Sequence, residues 1–373
     1  MVLKNVCFYN EVFEKEIADF RIENGKITEI GIIDEDGRDM SGLTALPGFV
    51  DIHIHGGNGG DFSDASKEAV DKISAYLAKH GVTSFCGTSM TLDNQLLTDI
   101  VKCGKDYAGN EAGAKLVGIN LEGPFISYDK KGAQNGAFVR AGTAQEFNQL
   151  FEDSGELVKL ITIAPEAFES EEFIKAVSQK CTVAIGHTSA NSAQTQEAVN
   201  LGVSHATHLY NAMTGMTHRE AGVVGTVMDN ETVMCELICD GGHVCPTVVR
   251  NTFRILGENR VCVISDSMRG AGLGAGEFDL GGQMTYVYEN GKYAVLEDGT
   301  IAASITNVFD EFKNLLDFGI DFKTALKSCT INPAKAIGLD DEIGSLAPNK
   351  CADILFVDEK LELKEVYING KRA

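Results

Sequence analysis

With 373 residues, 44% of them hydrophobic, the chain is long enough for one large α/β unit of about 250 residues plus a small extra module. A formal net charge of -22 speaks against nucleic acid and acidic membrane surfaces as partners, because polyanions are repelled over most of such a surface, although a small anion can still bind where amides and an arginine converge. The first residues carry no basic stretch leading into a long apolar one and no run of about 18 apolar residues follows, so a cytoplasmic protein without signal peptide or membrane span is expected, its ten irregularly spaced cysteines reduced.

The opening stretch, 3–46, predicts short strands at 6–8, 19–22 and 26–30, the last two joined by a turn at Asn24-Gly25. Between 47 and 344, β-like and helical patterns alternate. Strands are predicted over 49–55, 82–89, 115–122, 158–164, 182–187, 203–209, 232–239 and 261–266, most of them followed by amphipathic stretches such as 67–79, 93–103 and 191–200. Eight such units are what a closed (β/α)8 barrel of the TIM type needs; an open doubly wound sheet is the structural alternative before motifs are weighed. Two insertions, 124–142 after the third strand and a glycine-rich hairpin at 270–300 after the eighth, fall where such folds keep specificity. The closing stretch has strands at 352–357 and 365–368 and a second turn at Asn369-Gly370. Neither end could hold a core alone, so 1–46 and 345–373 are expected to pack together as one small β domain beside a domain of 47–344.

The segment 47–56, Pro-Gly-Phe-Val-Asp-Ile-His-Ile-His-Gly, puts His53 and His55 on one strand face roughly 6.6 Å apart, with Asp51 on the same face. Glycines at 56, 57, 59 and 60 mark the strand's end. Two histidines alone could be a satisfied core pair. Further groups, however, stand at the ends of later predicted strands: Glu122 in 121–124, His187 in 184–188, His208 in 206–211 and Asp266 in 263–267. His205, three residues before His208, should face the other way. Cys235, Leu237 and Cys239 alternate along an apolar strand and read as core, so no cysteine joins the candidate site. Strand ends one, three, five, six and eight are where a barrel keeps catalytic residues. Neutral imidazoles and a carboxylate suit zinc, iron or another divalent transition ion, and such chemistry suits hydrolysis of an unactivated amide with Asp266 as proton shuttle.

These residues resemble the amidohydrolase superfamily over essentially the whole chain. The resemblance is carried by PGFVDIHIHGG (47–57), LEGPF (121–125), KKGA (130–133), IGHT (185–188), THLYNAM (207–213), HRE (218–220), DGGHV (240–244), SDSM (265–268) and INPAKAIGL (331–339). It implies a TIM-like (β/α)8 barrel with a β-sandwich built from both termini, a homodimer, and hydrolysis of the acetamide of N-acetylglucosamine 6-phosphate, the galactosamine isomer or another amide being the alternatives. It makes Glu122, His187 and His208 ligands of a principal ion. His53 and His55 imply a second, with Glu122 bridging and Asp266 completing the site: one or two divalent ions of the zinc, iron or manganese class. Asp266 takes the place of the catalytic Asp, and His243 that of a histidine polarising the acetyl carbonyl. Asn211 and Ala212 stand as phosphate contacts, and Arg219 as an arginine reaching the phosphate from the neighbouring subunit. Two positions depart from the pattern: Gln134 stands where many members have His, as an uncharged contact to a sugar hydroxyl, and Ala303 stands where Gly is usual. A catalytically silent sugar-phosphate sensor is the rival from another class, disfavoured because shuttle and ligands are all present.

Overall fold

The computed structural model describes residues 1–167 and 171–373. Eight parallel strands, each hydrogen-bonded to its neighbours in chain order, form the centre: Phe49–Ile54, Val82–Ser89, Lys115–Glu122, Val158–Ile163, Thr182–Ile185, Val203–Ala206, Met234–Leu237 and Val261–Val263. They are numbered first to eighth below. The first and last are also tied to each other just past their carboxyl ends, where Asp266 N donates to His53 O and His55 N to Ser267 O, both at 2.9 Å. The architecture is α/β, with helices on the outside of a curled sheet.

Local chemistry starts the helices where the periodicity placed them. Ser66, Asp93, Thr143 and Asn191 each accept a backbone N–H of the first turn of Lys67–Lys79, Asn94–Tyr107, Ala144–Asp153 and Ser192–Leu201, satisfying donors that have no partner inside the helix. The apolar faces of these helices pack against the outward side of the strands, in one large cluster containing Ile73, Leu97, Phe147, Ile161 and Val263.

A second eight-stranded sheet joins the two ends of the chain. Its spatial order is Lys371–Arg372, Leu363–Ile368, Ile354–Val357, Thr44–Pro47, Val2–Tyr9, Lys15–Glu23 and Lys26–Gly31, with Arg38–Asp39 also beside Val2–Tyr9. It has its own core around Leu3, Phe8, Phe20, Ile354 and Phe356. Asn24-Gly25 and Asn369-Gly370 have positive φ at both residues, the backbone that two-residue hairpins need for their strands to twist together.

The insertion after the eighth strand is larger than a hairpin. Gly276–Leu280, Gln283–Val287, Tyr293–Val295 and Ile301–Ser304 form a four-stranded antiparallel sheet. Its last strand is stitched to the end of the eighth by Ser304 N to Asp266 O and Met268 N to Ser304 O, contacts far apart in sequence that a local pattern does not reveal.

Candidate active site

Every sequence-predicted ligand lies at the carboxyl end of the parallel sheet. His53 and His55 close the first strand, and Glu122 is the last residue of the third. His187, His208 and Asp266 follow the fifth, sixth and eighth strands in left-handed backbone, φ +47°, +26° and +46°. Strained φ values of this kind persist where surrounding structure enforces them, and here they turn three side chains inward at once. Gly56 serves the same end, since a Cβ there would lie 2.3 Å from the Gly60 carbonyl oxygen and 2.9 Å from Arg269 N. His205 corrects the alternation argument: the sixth strand stops at Ala206, so His208 no longer obeys strand parity, and His205 also points inward, its Nε2 3.4 Å from Glu236 Oε1.

The ligand atoms gather into two trios, His53–His55–Asp266 and Glu122–His187–His208, each within 4.8 Å and all buried. Glu122 joins them. Its Oε1 is 2.9 Å from Nε2 of both His187 and His208, and its Oε2 is 3.2 Å from His55 Nε2. Asp266 Oδ1 lies 3.3 Å from His55 Nε2 and 3.6 Å from His53 Nε2.

The donor set fits a divalent cation. Nδ1 of His187 donates to Lys130 O at 2.9 Å, that of His55 to Thr88 O at 3.3 Å and that of His53 to Glu236 at 3.0 Å, which leaves their Nε2 lone pairs facing inward. His187 Nε2 and His208 Nε2 are 3.1 Å apart beside the same carboxylate oxygen, and His53 Nε2 is buried without a hydrogen bond. Lone pairs and carboxylate oxygens converge with no Lys or Arg among the described residues paired to Glu122 or Asp266. Burial lowers the basicity of His55, but Asp266 and Glu122 more than offset it and lift its pKa to about 10. Burial likewise raises the Glu122 and Asp266 carboxyls, and the surrounding imidazoles outweigh it, leaving both below the ordinary carboxylate range.

Above this floor opens a cavity of about 410 Å³, lined by His55, Glu122, Gln134, His187, His208, Asn211, Ala212, His243 and Asp266 among others. His243 Nδ1 is 2.8 Å from Asp240 Oδ2, while Asp240 Oδ1 accepts the N–H groups of Gly242 and His243, so the ring is fixed with Nε2 toward the cavity. Tyr293 of the inserted sheet packs edge-on against that ring at 5.5 Å. Gln134 is spoken for on both sides: its Nε2 donates to Glu122 Oε2 at 2.6 Å and its Oε1 accepts Thr91 N at 2.6 Å. Ala303 is fully buried, and Ile301 and Ala302 line the cavity there instead. Arg219 is exposed and does not line the cavity of its own chain.

Sequence reasoning missed Glu236, Asp240 and Tyr293. Glu236 had a signal, a lone carboxylate inside the apolar run Met234-Cys235-Glu236-Leu237-Ile238. Asp240 stands three residues before His243, a spacing that nothing distinguishes from a loop charge.

The sequence pattern of the amidohydrolase family matches residues 44–373. The chain belongs to this family. Among relatives, the N-acetylglucosamine-6-phosphate deacetylase of Bacillus subtilis is 37% identical over 334 residues, 88% of this chain and 84% of that protein. The N-acetylgalactosamine-6-phosphate deacetylase of Escherichia coli O157:H7 is 29% identical over 95% of this chain and 94% of its own length. Among solved structures, a mutant N-acetyl-D-glucosamine-6-phosphate deacetylase from Mycobacterium smegmatis, in complex with N-acetyl-D-glucosamine-6-phosphate, superposes with a TM-score of 0.92 at 28% identity, covering 100% of this chain and 98% of that one. Family members are metal-dependent hydrolases, in keeping with the ligand trios.

Proposed function

We propose that this amidohydrolase removes the acetyl group of N-acetylglucosamine 6-phosphate, giving glucosamine 6-phosphate and acetate, with one or two divalent ions of the zinc, iron or manganese class. The observation that carries the reading is the pair of ligand trios joined through Glu122 at the floor of a cavity that Asp266 and His243 also face. Glu122, His187 and His208 would hold the principal ion, and His53, His55 and Asp266 a second. Such an ion lowers the pKa of water and polarises a carbonyl oxygen.

The chain's own groups do the rest. Asp266 takes a proton as water oxygen adds to the acetamide carbon. His243, its Nδ1 held by Asp240, turns Nε2 toward the carbonyl oxygen where charge builds. Asp266 then returns the proton to the amide nitrogen as the carbon–nitrogen bond breaks, so acetate and a free amine leave. Asn211 and Ala212 contact the phosphate, Arg219 reaches it from the neighbouring subunit of a homodimer, and Gln134, besides bracing Glu122, uses its remaining hydrogen for a sugar hydroxyl.

In this reading the eight parallel strands are a closed (β/α)8 barrel, supported by the backbone bonds between the ends of its first and eighth strands. Residues 47–344 are its catalytic domain, and 1–46 with 345–373 a small β-sandwich supported by its separate core. Ten free cysteines fit a reducing cytoplasm. The likeness to the Escherichia coli relative favours the galactosamine epimer as a second reading. Acetate release from both N-acetylated epimers, with and without the 6-phosphate and beside hydantoin-like rings, tests the substrate. Rapid release from the phosphorylated glucosamine derivative is expected; release only from unphosphorylated sugars or rings would overturn the substrate.

A further inference from the structure

Among the described residues, His53 alone of the four imidazoles on the floor of the site has a carboxylate behind it. His187 and His55 give their Nδ1 protons to backbone carbonyls, and among the described residues His208 Nδ1 has no hydrogen-bond partner. Glu236, in the seventh strand, reaches across the interior of the sheet, is fully buried, and accepts His53 Nδ1 at 3.0 Å. The same oxygen, Oε2, accepts the backbone N–H of His208 at 3.0 Å. Its other oxygen has no hydrogen bond and faces His205 Nε2 at 3.4 Å, and no Lys or Arg among the described residues pairs with it. A buried carboxylate without a cationic side chain is costly to keep. One atom of it thus grips a ring from one trio and the strained backbone of a ligand from the other.

We propose that Glu236 is the positioning residue that makes the second ion site: it pins the His53 proton on Nδ1, aims the Nε2 lone pair at Glu122 and Asp266, and locks His53 to His208. This rests on the reading of the two trios as metal ligands and adds a division of labour between them. A carboxylate behind a histidine fixes the tautomer and makes the inner nitrogen a better electron donor, whereas a carbonyl orients it with less gain in basicity. Occupancy at His53, His55 and Asp266 therefore depends on Glu236, while in the trio of Glu122, His187 and His208 it touches no ring: the His187 ring is anchored on Lys130 O, and Glu236 holds His208 through its backbone N–H alone, a bond the amide oxygen of Gln can still accept.

The test is zinc binding by the full-length chain, with no substrate present. Zinc per chain, measured by mass spectrometry across a series of chelator-buffered zinc concentrations, should show two sites in the wild type. In Glu236→Gln the tighter site should stay within about threefold, and the other should weaken roughly 10- to 100-fold. Two sites of unchanged affinity in that variant, or only one site in the wild type, would overturn the inference. A wild type that binds no zinc would overturn the metal reading with it. Should Glu236→Gln not fold, nitrogen-detected spectra of the zinc-loaded wild type, with His53 assigned through His53→Asn, carry the test. A strongly downfield, solvent-protected proton on His53 Nδ1, as a buried carboxylate acceptor requires, supports the assignment, and an absent or freely exchanging one refutes it.

Discussion

The sheet built from the two chain ends and the carboxyl rim of the parallel sheet both bury carboxylates, and they treat them in opposite ways. In the terminal sheet each has a cationic partner supplied by the chain: Asp19 has Lys4 at 2.7 Å, Asp353 has Lys115 at 2.5 Å, and Glu365 has Arg38. At the rim, Glu122, Asp266 and Glu236 face imidazoles, with the Gln134 amide and the His208 N–H as further donors, and among the described residues no Lys or Arg pairs with them. The first region closes its electrostatics with the chain's own cations, one of them, Lys115, reaching over from the third parallel strand. The second gathers imidazole nitrogens and carboxylate oxygens able to hold a metal ion, and it keeps strained backbone at three of those residues, His187, His208 and Asp266.

The sharpest way to break this contrast is at Asp266. Asp266→Asn should lower kcat for acetate release by roughly 10²- to 10⁴-fold while zinc remains at the trio it does not belong to; near-normal turnover would make Asp266 an ordinary buried acid. Next comes the shared ligand. Glu122→Gln should cut the zinc retained after dialysis at least roughly 10-fold, read by elemental analysis. Stripping the wild type with a chelator should cost about 2.7 kcal/mol of unfolding free energy relative to protein at a free zinc concentration of 100 times Kd, and should leave Glu122→Gln nearly unmoved. In the terminal sheet the effect is on stability alone: Lys115→Met should cost about 3 kcal/mol in urea unfolding by stranding buried Asp353, with zinc content unchanged.

The smallest effect is a pH slope. Lys4 and the N–H groups of Asn5 and Ile33 hold Asp19 down to about 2. A depressed carboxyl stabilises fully above its unfolded pKa of about 3.9, and that contribution fades as pH falls through about 2. Asp19→Asn should therefore flatten the fall in urea midpoint between about pH 4 and 2; an unchanged slope would mean the pair contributes nothing to acid stability.

Much of this was legible in the chain. The first strand was expected over 49–55 and runs Phe49–Ile54, and the second and third coincide with expectation, because β-branched runs bounded by glycine and charge read the same locally and in the fold. That these groups come together was legible for a related reason: one imidazole or carboxylate closing an apolar strand means little alone, but parallel strands bring five such ends to one rim. What escaped depends on distance. That His205 and His208 both turn inward follows from where the sixth strand stops, and the grip of Glu236 on His53 needs the sheet to curl until the seventh strand comes within reach of the first. The inserted sheet shows the same limit, its last strand being defined by partners at Asp266 and Met268 rather than by its own pattern.

Thr44–Pro47 lies between Val2–Tyr9 on one side and Ile354–Val357 on the other, with Ile354 opposite Pro47. Its second neighbour follows it in the chain only after the whole parallel sheet. Until that neighbour has been made, the nascent protein carries an unzipped β-edge next to apolar Ala45 and Leu46, which favours intermolecular pairing. A circular permutant of these residues that joins Ala373 to Met1 and begins just before Phe49 would synthesise both halves of this seam back to back, and should aggregate less during synthesis.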